Sequence, residues 1–163
     1  MLTLRPLTEA DVTERYLSWF KDEKVTRYLE VRSPAKQESI DYIRRGKEGG
    51  YFLYAIMVDD THIGNLKIGP VQWRHKLSDL VTVIGEPGYW GKGYATTAIK
   101  QGVELAFGMG IRKLSAGVYG DNTGSIAAYT NAGFHIEAVL KGQYLLEGQP
   151  QDRVCLAYFN PAY

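Results

Sequence analysis

At 163 residues the chain fits one domain, and a domain of that size buries roughly 70% of its unfolded surface, so its core needs no disulfide or metal staple. Nineteen basic against eighteen acidic residues leave a net charge of +1, which excludes the strongly basic footprint of a general nucleic-acid binder. The lone Cys155 excludes an internal disulfide framework and a CxxC pair and suits a reducing cytoplasm. Arg5, Pro6 and Glu9 interrupt any signal-like opening, and no apolar run approaches the ~20 residues of a membrane span. The expectation is one cytoplasmic domain over residues 1–163 with no nucleic-acid or membrane partner.

Leu2 and Leu4 alternate in a short first strand, and Thr8 followed by Asp11 resembles a capping box opening a helix through Phe20. Ser33-Pro34 starts a second helix that the glycines at 46 to 50 end. "YFLYAIMV" and "HIGNLKIG" flank Asp59-Asp60 as a hairpin, and "LSDLVTVIG" adds a third antiparallel strand after the Pro70 loop. From Ala95, small or apolar residues at 95, 98, 99, 102, 103 and 106 mark an amphipathic helix. "KLSAGVYG" reads as a strand, 122 to 132 as a helix closed by Gly133, and 134 to 140 and 153 to 159 as final strands. The predicted class is mixed α/β (α+β), a mainly antiparallel sheet of about seven strands flanked by about four helices.

Two stretches carry chemistry. In "VIGEPGYWGKGYATTA", Gly85, Gly88, Gly91 and Gly93 lie between a strand end and the strongest helix. Glycines allow close backbone approach, and a helix start offers unpaired N–H groups at the positive end of its dipole, so the turn suits a phosphate. Glu86 and Gly93 occupy positions where a P-loop requires Gly and Ser or Thr, and Thr96 stands where a dinucleotide fingerprint requires its third glycine. In "GDNTGSIAAYTNAGF", Asn122, Ser125 and Tyr129 fall at offsets 0, 3 and 7, within about 60° on one helical face. Asn122 also suits a helix cap and Tyr129 a buried ring with a satisfied hydroxyl.

Together, "YWGKGYATTA" and "DNTGSIAAYTNAGF" resemble the two signature stretches of the GNAT superfamily of acyl-CoA N-acyltransferases. The likeness extends over nearly the whole chain, and "LRPLTEADV" with "WGKGYAT" looks most like the RimJ/RimL-type branch and acetyltransferases of polysaccharide and amino-sugar biosynthesis. The superfamily turn [QR]xxGx[GA] is matched by Trp90, Gly91, Lys92, Gly93, Tyr94 and Ala95, with Trp90 departing from Gln or Arg. The resemblance implies acetyl-CoA as acyl donor and no metal. It also implies that the amides of 91 to 96, ending at Thr96, bind the coenzyme A pyrophosphate. Strand residues Val83, Ile84 and Gly85 would pair with the pantetheine arm, and Asn122 and Ser125 would touch the cofactor.

Acyl transfer from a thioester needs a neutral amine, a donor to the carbonyl oxygen and a proton for the thiolate. By resemblance Tyr129 is the general acid, a backbone amide near Ile84 or Gly85 the oxyanion donor, and Glu86 or Asp79 the base, with His75 as a third candidate. A splay of the strand before the turn is expected, to admit the thioester. Acceptor contacts in this fold come from the segments "RYLEVRS" and "GPVQWRHKLSD", of which the first offers Tyr28, Glu30 and Arg32 and the second Trp73, Arg74 and His75. That mix of rings and charges suits a nucleotide-linked amino sugar. A RimJ/RimL-type protein N-terminus and a non-catalytic acyl-CoA sensing module are the alternatives, and the resemblance also allows a homodimer.

Overall fold

Alternating burial along the central strands fixes the faces of one seven-stranded sheet. A computed structural model describes residues 1–30, 33–46 and 48–163. In chain order the elements are β1 (Leu2–Pro6), α1 (Glu14–Trp19), α2 (Glu23–Thr26), α3 (Lys36–Arg45), β2 (Phe52–Val58), β3 (Thr61–Ile68), β4 (Leu77–Ile84), α4 (Tyr94–Gly108), β5 (Lys113–Tyr119), α5 (Thr123–Asn131), β6 (His135–Leu146) and β7 (Gln149–Phe159). The strand order is β1-β2-β3-β4-β5-β7-β6, with the expected β2-β3-β4 meander intact. Among the described residues only β4 and β5 run parallel, because α4 links them as a crossover.

One face of the sheet carries Ile56, Leu66, Leu80, Leu114, Ala116 and Leu156 against Ala98, Ile99, Val103 and Ala106 of α4. This is the main core, and the i, i+3, i+4 spacing read from the sequence is its helical half. The opposite face is covered on the β1 to β4 side by a second cluster, Val12, Tyr16, Leu17, Trp19 and Val25, against which Val83 packs.

Three expectations change. The Thr8/Asp11 capping box exists, but it opens a 3-10 turn at Glu9–Asp11, while Thr13 caps α1 by accepting from the Tyr16 N–H. The extra short helix α2 makes five helices instead of four. The last two strands are also longer than 134–140 and 153–159: both extend to a turn at Glu147 and Gly148, whose φ values of 52° and 76° suit a tight hairpin. The sequence hides this continuity because the register shifts between Leu140 and Tyr144. The longer hairpin carries Tyr144 to the mouth of the site.

Candidate active site

The site is a wedge between β4 and β5. The two strands pair at Leu77↔Lys113, Ser78↔Leu114 and Asp79↔Ser115 and no further, whereas β4 stays paired with β3 out to Gly64↔Ile84. One edge of β4 is therefore open from Leu80 onward, which is the splay anticipated above. Alternation along an antiparallel ladder decides which groups face the opening. The Gly85 N–H donates to the Ile63 carbonyl at 2.8 Å, and Gly69 donates to the Asp79 carbonyl at 3.0 Å, so odd-numbered residues point their backbone at β3. Leu80, Thr82 and Ile84 point theirs into the wedge. Of Val83, Ile84 and Gly85, only Ile84 has a backbone N–H free to meet a guest there. The Gly85 amide is already engaged with β3, so it is removed as an oxyanion donor.

Tyr129 closes the root of the wedge. It is buried on α5, and its hydroxyl donates to the Leu80 carbonyl at 2.8 Å. Phe134 holds the ring edge-on at 5.1 Å. Burial pushes the phenol up to about 12, although the neighbouring Thr82 hydroxyl and N–H pull the other way. The Thr82 hydroxyl is itself buried without a well-formed hydrogen bond.

At the mouth, both helix starts converge. Gly91 and Gly93 have φ values of 71° and 80° with open space where a side chain would stand. Gly93 is the N-cap of α4, no side chain caps it, and no acidic residue occupies the first turn. The amides of Tyr94, Ala95 and Thr96 are the orphan donors of that turn, since the first helical bond runs from Thr97 to Gly93. Lys92 sits over the Tyr89 ring at 5.8 Å, and Tyr89 packs on Tyr94 at 5.7 Å. Trp90, where the superfamily turn carries Gln or Arg, donates its indole N–H to the Ile84 carbonyl at 3.0 Å. It thus fastens the turn to the strand end. On α5, Asn122 caps the helix by accepting from the Ser125 N–H at 3.3 Å, which leaves its side-chain NH2 for a guest. A narrow wedge leading to an uncapped, glycine-lined helix start fits a long thiol arm ending in a pyrophosphate, so these residues suit coenzyme A.

The candidate bases separate. Glu86 accepts from Arg15 Nε at 2.6 Å and Trp19 Nε1 at 2.7 Å. Partial burial alone would raise its carboxyl, but these two donors outweigh it and hold the carboxyl below its ordinary value. It is a strut between α1 and the loop after β4, and a weak base. Asp79 stands where β4 last pairs with β5; its side chain is solvent-exposed, yet the desolvation imposed by the atoms packed around it raises its carboxyl against the opposing pull of Arg153 and Lys67, which makes it the stronger base of the two.

Among the acceptor candidates, Glu30 is exposed and acts electrostatically on Tyr144. Arg32 lies outside the described residues. Trp73 and His75 precede β4, so they stand at its closed end, about 23 Å from Ile84 at the usual strand rise. The structure does not bring them to the wedge. Tyr28, which the sequence offered as an acceptor contact, meets at the mouth two rings that were not legible as part of a site: it packs on Tyr119 at 5.4 Å, and Tyr119 stacks on Tyr144 at 4.2 Å. Arg27 ties this corner together through Asp121 at 3.6 Å and Glu147 at 3.4 Å.

Gly85 has a second constraint: a Cβ there would lie 2.1 Å from Trp19 Cδ2. Gly85→Ala is expected to displace the indole from Glu86 and to cost roughly 2 kcal/mol, as overpacking does. Urea unfolding of the variant against the parent chain measures it, and an unchanged midpoint would show that Trp19 yields freely.

A sheet splayed beside an uncapped, glycine-lined helix start, with a buried phenol at the fork, is the arrangement of an acyl-thioester transferase fold. A family model described as Acetyltransferase (GNAT) domain matches residues 1–135, and the chain belongs to that family as an N-acetyltransferase. It is 27% identical to the N-acetyltransferase YoaA of Bacillus subtilis (strain 168), over 98% of this chain and 94% of that one. The spermidine N(1)-acetyltransferase of Escherichia coli (strain K12) is 25% identical, over 68% of this chain and 59% of that one. In fold the chain resembles the spermidine N-acetyltransferase of Vibrio cholerae, solved in complex with CoA and spermine, with a TM-score of 0.87, 20% identity and coverage of 97% and 95%.

Proposed function

We propose that the chain moves an acetyl group from acetyl-CoA to a primary amine of a small molecule by direct attack, without a covalent enzyme intermediate. The observation that carries this is the wedge itself, where a buried hydroxyl and the inward Ile84 N–H flank one narrow opening. Bound acetyl-CoA supplies the acetyl group as a thioester. The Ile84 N–H donates to the carbonyl oxygen as it gains charge. Tyr129 releases Leu80 and turns its hydroxyl to the departing sulfur. Asp79 takes the proton from the attacking nitrogen through water, because its raised affinity for protons exceeds that of Glu86. The amide groups of Gly91 to Thr96, with Lys92, hold the pyrophosphate, and Asn122 and Ser125 steady the arm.

Two acceptor readings have support. The Tyr28, Tyr119 and Tyr144 stack offers ring faces to a nucleotide-linked amino sugar. The names of the spermidine acetyltransferase relatives support a polyamine, for which Glu30 and Asp79 supply negative charge. Thiol release from acetyl-CoA, followed colorimetrically over nucleotide-linked amino sugars, spermidine and peptides with free N-termini, is expected to proceed with one of the first two. Turnover with peptides alone would replace both readings with a RimJ/RimL-type activity. Acetyl-CoA binding with no turnover on any amine would favour a sensing module.

A further inference from the structure

We infer that Arg153 is an anion anchor for the acceptor: it receives a carboxylate or phosphate carried by the same molecule whose amine is acetylated. This deepens the acetyl-transfer reading and rests on it.

Arg153 lies on β7 opposite Tyr119 of β5, and its side chain turns back across the sheet. It passes directly over Gly117, where a Cβ would meet Nε at 2.5 Å, Nη2 at 2.7 Å and Cζ at 2.8 Å. Only the absence of a side chain at 117 makes room for the guanidinium, so the sequence reserves this path. The register places the group. Gly117 is two residues beyond the last pair, Asp79↔Ser115, so it stands across the wedge from Val81. That is the level at which Tyr129 reaches Leu80 from the opposite face. The guanidinium is therefore beside the reacting centre, on the face left uncovered by the second core cluster.

Its bonding is incomplete. Nε is buried and has no hydrogen-bonding partner; the charge of Arg153 acts on Asp79 and Tyr144, but it forms no ion pair among the described residues. A guanidinium keeps its charge in a protein, and a buried N–H without an acceptor costs about 1–3 kcal/mol. Such a group persists where a ligand completes it. The planar fork presents paired donors spaced for a carboxylate or phosphate. A polycation is the opposite of what it requires, so the anchor favours acceptors that combine an amine with an oxyanion.

The test compares matched acceptors in the intact protein: a nucleotide-linked amino sugar against the free amino sugar, and an amino acid against its amide. The parent chain is expected to prefer the anionic member of at least one pair by about tenfold or more in kcat/KM, and Arg153→Met is expected to erase that preference through KM. Which pair responds tells phosphate from carboxylate. A preference that survives in Arg153→Met, or its absence in the parent chain, overturns the anchor. A second measurement does not depend on knowing the acceptor. With CoA saturating, the Arg153 Nε–H resonance, identified by its loss in Arg153→Lys, is expected to shift as inorganic phosphate is added across the millimolar range; no shift overturns the proposal. If no amine releases thiol while that resonance still responds, the acetyl-transfer reading fails and the anion site stands.

Discussion

Tyr129→Phe is expected to lower kcat about 100-fold while leaving acetyl-CoA affinity nearly unchanged, as removal of a positioned proton donor does. The ring is held by Phe134 and by the body of α5, so the substitution deletes the hydroxyl and little else. Its chemistry is narrower than an ordinary tyrosine would suggest. With the phenol pushed up to about 12, handing its proton in full to a thiolate whose thiol has pKa ~8.5 would cost about 5 kcal/mol. The hydroxyl therefore stabilises the sulfur mainly as a hydrogen-bond donor, and no alkaline limb from its ionisation is expected in the rate profile near neutral pH. The same shift has a stability consequence. Because the folded pKa stands above the ordinary value of 10.0, the contribution is complete below pH 10 and is lost as pH rises through 12, by about 3 kcal/mol. Unfolding of the parent chain and of Tyr129→Phe, compared across that window, should show the difference between them narrowing with pH. Unchanged turnover in the variant would remove the Tyr129 hydroxyl from its role as hydrogen-bond donor to the departing sulfur.

The parts of this site that follow short-range rules were legible in the sequence. Glycine spacing before an amphipathic helix located the uncapped, glycine-lined start of α4, and a 3.6-residue period put Asn122, Ser125 and Tyr129 on one element. Helix capping by Asn122, the plainer of its two readings, is what the structure shows. What depends on partners distant in sequence was not legible. Whether Ile84 or Gly85 offers its amide is decided by the register of β4 on β3, and β3 is itself shifted against β2 by the irregularity at Ile56/Met57. The path of Arg153 over Gly117 requires β7 to insert between β5 and β6, a non-sequential order that no local pattern encodes. A signal did exist in Gly117, a glycine inside the strand "KLSAGVY", which marks close approach by another group. Strand direction also bears on Trp73 and His75. A loop entering β4 and a turn leaving it lie at opposite ends of an eight-residue strand, so the two cannot share one site.

Gly93→Asp is expected to abolish measurable acetyl-CoA binding, and the comparison with Gly93→Asn separates the reasons. Gly93 has φ 80° and caps α4, a conformation that Asn and Asp tolerate better than other side chains do. Nothing lies within 4 Å of a Cβ at that position, so neither substitution crowds the protein itself. Both residues are also favoured helix caps, which should hold α4 in place and keep the melting temperature near that of the parent chain. Their difference is then electrostatic. A carboxylate about 5 Å from one phosphate charge, at the effective dielectric of a protein surface, opposes binding by roughly 3 kcal/mol, or about 200-fold. Gly93→Asn should lose less, since its side chain only competes for the orphan amides of Tyr94 to Thr96 and occupies part of their approach. Calorimetric titration of CoA into both variants measures the gap between them. Equal losses would mean that space, rather than charge, governs this turn. Normal binding in Gly93→Asp would move the pyrophosphate away from the start of α4 altogether.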